Sequence, residues 1–350
     1  MDKILTIIVP AYNMEKYLDR CLSSLIIGED QMSQFEVLVI NDGSKDRTSK
    51  IAHTYEQKYP QTFRVIDKEN GHYGSCVNRG LAEANGTFVK VLDADDAFDK
   101  NAFLQFLPFL NEASSSGAEM VLSDYANVDN ESQIEKVIHF SNHKGLYSLS
   151  DLTENDKYIW FIHGITYRLS VLLNSGYRQT EGLPYSDLEW SICPLTSVNS
   201  ILKYDKVLYL YTIGRDGQSV SPEIHNKNLH LELLIKRGII QQLPSSSLDS
   251  NNGKDSFIFD RICILVNYLY QDYIFSKPHF SFNDNDLLSF DVFLKQFPNI
   301  YTVTNQYSTI LSGGSKFQPI KDWRDKNIRS LTIQKILYNC SSFRSKLRKR

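Results

Sequence analysis

Three carboxylates stand at the end of a short apolar run, Phe88-Val89-Lys90-Val91-Leu92 followed by Asp93-Ala94-Asp95-Asp96. The run is rich in β-branched residues and predicts a buried strand. In extended backbone, side chains two apart point the same way, so Asp93 and Asp95 are expected to converge on one point. Two anionic oxygens with no Cys or His beside them suit a hard cation such as Mg²⁺ or Mn²⁺, which keeps open positions for phosphate oxygens. The structural alternative is a helix cap, with Asp96 or Asp99 closing the next helix and the other acids solvated in a turn. For an isolated D-x-D that alternative prevails, because the pattern is short and common. The surrounding elements decide otherwise.

Those elements alternate. Strand signals at Leu5 to Val9, Phe35 to Ile40 and Phe63 to Ile66 precede the run ending at Asp93. Between them lie helical signals at Met14 to Leu25, Asp46 to Tyr59 and Gly74 to Ala84. Such alternation predicts an α/β fold with a mostly parallel sheet flanked by helices. Glu119 to Tyr125, Lys136 to Phe140 and Ile201 to Tyr211 read as further strands. From about His225 the chain turns helical, with Leu229 to Leu243, Phe257 to Phe275 and Asn285 to Phe297, and the polar run Ser245 to Ser256 reads as a loop. A loose boundary near residues 214 to 224 divides a domain at 1–215 (halves 1–100 and 101–215) from a helical carboxyl-terminal region at 216–350.

In an open α/β sheet, ligands bind beyond the carboxyl ends of the strands. There stand Pro10-Ala11-Tyr12-Asn13, Asn41-Asp42-Gly43-Ser44, Lys68-Glu69-Asn70-Gly71 and Asp93-Ala94-Asp95-Asp96. Each alone is ordinary turn chemistry, and Tyr12 alone could be a half-buried aromatic. Four in register at one sheet edge suggest a pocket for a nucleotide whose diphosphate a cation neutralises.

With these segments the sequence resembles family-2 glycosyltransferases of the GT-A fold. The carrying residues are Ile7 to Asn13, Val39 to Ser44 with Asp46, Asn70-Gly71 through Asn78-Arg79-Gly80-Leu81, and Leu92 to Asp96. The resemblance is firm over roughly residues 1 to 100 and thin after about 220. It implies a nucleotide-sugar donor, most often a UDP-sugar, bound with Mn²⁺ or Mg²⁺. It places Pro10, Ala11 and Tyr12 around the base, gives Asp42 the pyrimidine N3–H, and lines the donor with Asn70, Gly71, Asn78, Asp93 and Ala94. Asp95 and Asp93 hold the ion. Where many relatives carry a basic residue this chain has Val77, which leaves Arg79 as the substitute diphosphate partner.

The family's base is a carboxylate in an acidic pair at the start of a later helix. The matching stretch is Gly182 to Trp190, where Ser186-Asp187 stands for the pair. Asp187 inherits the role, with Glu189 as fallback. The alternative is that Ser186 and Asp187 cap the helix. Direct attack opposite the leaving group would invert the anomeric centre. His163 to Arg168 and Tyr209 to Ser219 resemble a bacterial subgroup that builds surface polysaccharides. His163 is an acceptor-side candidate against the commoner buried, satisfied histidine. Arg215, on a Gly-rich loop, is a diphosphate partner if that loop closes. Absence of the Q-x-x-R-W signature implies transfer of single sugars. The acceptor is a glycan, a lipid-linked glycan or a glycoprotein.

Composition sets the outer limits. With 350 residues, 42% hydrophobic and 23% charged, the chain has the make-up of a soluble protein. A net charge of −3 gives no general attraction to nucleic acid. The five cysteines are scattered singly, which fits a reducing cytoplasm rather than a zinc or disulfide framework. The start is too short in apolar residues for a signal peptide, and Asp260, Arg261, Asn267 and Asp272 interrupt the greasiest helix. A cytoplasmic location is expected. The basic tail from Lys335 to Arg350 is a solvated end or, alternatively, a peripheral contact with anionic lipid.

Two other enzyme classes fit less well. A sugar-nucleotide pyrophosphorylase should have a Gly-rich basic loop after the first strand, and a nicotinamide dehydrogenase a G-x-G-x-x-G there. Neither is present. A catalytically degenerate nucleotide-binding scaffold is the non-enzymatic rival, opposed by retention of Asp42, Asp93, Asp95 and Asp187 together.

Overall fold

The computed structural model describes residues 3–141, 143–152, 160–215, 218, 222–249, 253–275, 284–310 and 316–326. The basic tail from Lys335 and residues 216, 217 and 219 of the Gly-rich loop lie outside them. The chain divides into two compact units, Met1–Gln218 and Ser219–Arg350.

The first unit holds a ten-stranded sheet. Its strands are β1 (Leu5–Ala11), β2 (Phe35–Asn41), β3 (Phe63–Asp67), β4 (Phe88–Val91), β5 (Ala97–Phe98), β6 (Met120–Val128), β7 (Ile134–Ile138), β8 (Leu146–Tyr147), β9 (Ile165–Arg168) and β10 (Ile201–Thr212). Helices α1 (Leu18–Ser24), α2 (Glu29–Met32), α3 (Thr48–Lys58), α4 (His72–Glu83), α5 (Lys100–Ser115), α6 (Leu169–Asn174) and α7 (Asp187–Ile192) connect them. The spatial order is β3-β2-β1-β4-β9-β6-β10-β5. β1, β2, β3 and β4 pair in parallel, β9 runs antiparallel between β4 and β6, and β6 and β10 are parallel. This is the mostly parallel α/β architecture expected from the alternating signals.

All seven residues of β1 are buried, as expected of a strand covered on both faces, and its one hydroxyl, on Thr6, donates to Glu36 at 2.6 Å. Pro10 sits two residues past the last β1–β4 pair, Ile8 with Val91, where a missing N–H is tolerated. Strand order reverses at β1, whose neighbours are β2 and β4, and that reversal opens a crevice at their carboxyl ends. α4 can lie close to the later chain because of Gly74: a Cβ there would fall 1.9 Å from the Thr180 carbonyl oxygen.

Several boundaries differ from expectation. β4 ends at Val91, and the Asp96 N–H bonds back to the Asp93 carbonyl at 3.0 Å. Asp93 to Asp96 is therefore a tight turn, and the expected extended alternation of Asp93 and Asp95 does not occur. The turn is favoured because each acid finds a different partner there. Asp99, not Asp96, caps the next helix, its Oδ1 accepting from the Ala102 N–H at 2.8 Å. His163 lies in a 3-10 turn at Ile162–Gly164.

The second unit is helical, with α8 (Pro222–Lys227), α9 (Leu229–Gln242), α10 (Gly253–Phe275), α11 (Asp284–Leu294), α12 (Pro298–Gln306) and α13 (Pro319–Lys326), plus a small hairpin of β11 (Thr309–Ile310) and β12 (Lys316–Phe317). α10 starts at Gly253, and Ser245–Leu248 forms a 3-10 turn, so the expected loop between α9 and α10 is shorter than the polar run suggested. Its core ties Arg324 to Asp291 at 2.7 Å and stacks the guanidinium 3.6 Å from the Tyr301 ring centroid. Among the described residues, no helix is long and apolar enough to cross a membrane.

Candidate active site

The strand-end loops of the first unit are stitched into one rim. Asn13, at φ 55°, donates its N–H to Ser44 Oγ at 3.0 Å, and its side-chain oxygen accepts from the Lys45 N–H at 2.8 Å. Gly43, at φ 74°, allows the turn after β2. That turn aims Asp42 toward the third loop, where its Oδ1 accepts from the Gly71 N–H at 3.0 Å and from Lys68 Nζ at 2.5 Å. Asn70 Nδ2 donates to the Asp42 carbonyl at 3.0 Å. Pro10 and Ala11 are buried in β1, while Tyr12 beside them is 46% exposed, leaving its ring face open.

The acidic turn is held by five residues. Tyr73 donates its hydroxyl to Asp93 Oδ1 at 2.8 Å. The Asp93 N–H donates to the Tyr209 oxygen at 3.1 Å, and the Tyr209 hydroxyl donates to Asp96 Oδ2 at 2.7 Å. The Thr212 N–H gives the other Asp96 oxygen a 2.7 Å bond. Arg215 Nε donates to Asp95 Oδ2, and Arg20 bridges the Asp95 carbonyl to Thr212 Oγ1. Ala94 is buried at the tip.

Arg215 pairs with Asp95, but Asp93 and Asp96 have no ion pair among the described residues. Burial raises Asp93 first, Asp95's charge adds to it, and the carboxyl is pushed up to about 7 despite the Tyr73 bond. Asp96 is driven well up by burial and by Asp95 and Asp93. Ligand atoms of Asp93, Asp96 and His163 lie within 4.8 Å of one another. Both Asp96 oxygens already accept strong hydrogen bonds, so Asp96 anchors the turn, whereas Asp93 is partly open to the surface. A crowded oxygen-donor set short of positive charge fits a hard divalent cation.

Beneath the turn, Lys90 of β4 is fully buried and donates to the carbonyls of His163 at 2.7 Å and Ile165 at 3.2 Å. Burial lowers its pKa to about 7. His163 is packed among the rings of Tyr211, Tyr209 and Tyr125, at 4.4, 4.8 and 5.0 Å. Burial, then the Lys90 charge, lowers it to about 3, so it is a neutral imidazole and a weak base. Among the described residues its buried Nδ1 has no hydrogen-bond partner, contrary to the satisfied core histidine expected as the commoner case.

Across the crevice, Asp187 occupies the first turn of α7, half-buried, and Ser186 precedes it with no side-chain cap. Ser186 Oγ instead accepts from Gln179 Nε2 at 3.1 Å. Asp187's charge raises Asp93, Tyr73 and Tyr211 alike. Tyr185, two residues earlier, adopts φ 63°, a left-handed conformation that costs a bulky residue about 1–3 kcal/mol. Asn13, His72 and Tyr185, three non-glycine residues with positive φ, all belong to these loops.

Other expected residues have different partners. Glu189 is fully buried, its oxygens accepting from the Thr180 N–H and hydroxyl, each at 2.6 Å, so it braces the loop before α7. Asn78 does the same from α4, donating to the Gln179 carbonyl and accepting its N–H, both at 2.9 Å. Arg79 pairs with Glu83 one turn on at 2.9 Å and is half-exposed. A ready i,i+4 partner explains the difference. Lys68, Tyr73, Lys90, Arg20 and Tyr209 had no assigned role in the sequence. For Lys68 a signal existed, since it sits in the quoted run before Asn70-Gly71. The others depend on contacts distant in sequence.

Residues 6–165 match the model of the family described as "Glycosyl transferase family 2". The chain is 35% identical over 124 residues to an uncharacterised glycosyltransferase of Mycoplasma pneumoniae, covering 35% of this chain and 39% of that one. It is 25% identical over 239 residues to the uncharacterised glycosyltransferase EpsJ of Bacillus subtilis, covering 66% and 67%. It is 34% identical over 110 residues to the poly(ribitol-phosphate) beta-N-acetylglucosaminyltransferase TarS of Staphylococcus aureus, covering 31% of this chain and 19% of TarS. The chain thus spans well under half the length of two of these relatives. The crystal structure of TarS residues 1–349 in complex with UDP-GlcNAc superposes with a TM-score of 0.67 at 21% identity, over 96% of this chain and 91% of that one, so the two share the GT-A fold. Residues 6–165, just under half of the chain, thus match glycosyl transferase family 2.

Proposed function

We propose that the protein is a divalent-cation-dependent, inverting glycosyltransferase that moves one sugar at a time. Its donor is a nucleotide-sugar, a UDP-sugar by the likeness to TarS. Its acceptor is a hydroxyl of a glycan, lipid-linked or protein-linked, in bacterial surface-polymer synthesis at the cytoplasmic face.

The observation that supports this reading is that the loop carrying Ser186, next to Asp187, packs against Gly74 of α4, whose neighbour Tyr73 bonds Asp93. A base candidate and the acids that suit a diphosphate-bound cation thus adjoin one crevice. Asp93 and Asp95 would hold Mn²⁺ or Mg²⁺, which when bound neutralises the charge developing on the leaving diphosphate. Tyr12 offers its face and Asp42 an acceptor to the base. Asp187 takes the acceptor proton as the hydroxyl attacks from the side opposite the leaving group. Arg215 leaves Asp95 to meet the diphosphate, and His163 lines the floor without exchanging protons.

Incubation with Mn²⁺ and a panel of nucleotide-sugars tests this. Release of free UDP from one donor, abolished by Asp187→Asn, supports a transferase. Binding of UDP with no turnover of any donor favours the scaffold instead.

A further inference from the structure

We propose that Lys68 is a positioning residue that gives the nucleoside end of this site its preference for uracil, acting through Asp42. The proposal rests on the nucleotide-sugar function above.

Asp42 is fixed at both ends. Its N–H donates to the Ala11 carbonyl at 2.9 Å, and its carbonyl accepts from Asn70. Its side chain is 4% exposed. Oδ1 accepts from Lys68 Nζ at 2.5 Å and from the Gly71 N–H at 3.0 Å, which fills that oxygen's lone pairs. Among the described residues, Oδ2 has no N–H or O–H donor bonded to it, and the buried Cys76 thiol is a weak donor to this carboxylate. One oxygen, shared at most with that weak donor, is left to accept a stronger one.

Lys68 itself has nothing to offer a base. Its three N–H bonds go to Asp42, to the Glu69 carbonyl at 2.6 Å and to Ser75 Oγ at 2.9 Å. Ser75 in turn donates to the His72 carbonyl at 2.8 Å, so it can only accept from Lys68. Lys68 therefore works by fixing the Asp42 rotamer and occupying one of its oxygens. Uracil presents a single imide N–H between two carbonyls and matches a single acceptor. Guanine presents two adjacent N–H groups and needs both oxygens. Cytosine has no proton at N3. Tyr12 supplies a stacking face that every base can use, so it adds affinity without choosing.

Calorimetric binding of UDP, GDP and N3-methyl-UDP to the whole chain with Mn²⁺, in the parent protein, Lys68→Met and Lys68→Arg, tests the proposal. The parent should bind UDP about tenfold or more tighter than GDP and N3-methyl-UDP. Lys68→Met should lose about tenfold on UDP but less than about twofold on N3-methyl-UDP, which lacks the proton Asp42 receives. Its KM for the donor should rise with kcat kept, and Lys68→Arg should stay within about threefold of the parent. Equal loss on both uracil ligands would reveal general loosening and overturn the proposal, as would unchanged UDP binding. A parent protein that binds UDP and GDP alike overturns the base preference and leaves the transferase proposal standing. A parent that binds neither overturns both.

Discussion

Arg215 donates to the Asp95 carboxylate, tying the arm beyond β10 to the acidic turn across 120 positions of sequence. The guanidinium stands 5.4 Å from the Tyr17 ring centroid, and Arg20 binds the same turn through the Asp95 carbonyl. A dication held by Asp95 would compete with Arg215. Arg215→Met should therefore tighten Mn²⁺ binding to nucleotide-free protein by about three- to tenfold, since a pair of this kind carries about 1 kcal/mol. It should also weaken donor binding in the presence of Mn²⁺. Paramagnetic titration of free Mn²⁺ reads the first effect, and weaker binding in the variant would remove Arg215 as a competitor.

Metal affinity should depend on pH with a definite sign. Asp93, pushed up to about 7 by burial and by Asp95, is protonated below that value and must lose the proton to ligate. Mn²⁺ affinity should fall by up to about tenfold per unit as pH drops below 7. Without metal, the folded chain holds this proton more tightly than the unfolded one. That contribution to stability is present at low pH and lost as pH rises through 7. Thermal melts with and without Mn²⁺ between pH 5 and pH 8 check both signs. Affinity that is flat over this window would show that Asp93 is not a ligand.

Asp187→Asn should leave UDP binding within about twofold and lower transfer by at least about a hundredfold, the usual contribution of a general base. Glu189→Gln should act differently, because its carboxylate secures Thr180. Loss of a charged hydrogen-bond acceptor there should destabilise the first unit by about 1–3 kcal/mol. Calorimetric melting and initial rates separate the two roles. An active Asp187→Asn variant would exclude it as the base.

The second unit has its own pH response. Hydrogen bonds to Asp272 and Glu232 raise His225 to about 10. Burial works against Glu232, but His225 and Lys236 bring it down to about 2. The His225 contribution is complete below about pH 6.5 and is lost as pH rises through 10. The Glu232 contribution is present above about pH 4.3 and is lost toward 2. Scanning calorimetry should show a melting temperature lower at pH 10 than at pH 7.5 by about 2–4 °C. His225→Gln should remove that part of the fall. An unchanged slope in the variant would refute the pairing.

The strand ends were legible from sequence because they depend on local signals. β1, β2 and β4 are apolar runs stopped by turn residues, and the resemblance supplied the order of their loops. The acidic turn itself was misjudged in geometry. Periodicity carries a strand forward until something stops it, and what stops β4 is a turn stabilised by Tyr209 and Thr212, more than a hundred positions away. The role of Lys90 was illegible for the same reason, since a lysine inside a strand gives no hint that two backbone carbonyls await it. Arg79 was assigned by motif position, and the structure pairs it with Glu83 one turn on.

The most direct test of the central claim is isothermal titration of UDP into the protein with and without Mn²⁺, alongside Asp95→Ala. The expected result is UDP binding that strengthens at least about tenfold with Mn²⁺ in the parent and does not respond to the ion in the variant. Mn²⁺-independent UDP binding in the parent, or an undiminished Mn²⁺ effect in Asp95→Ala, would contradict it.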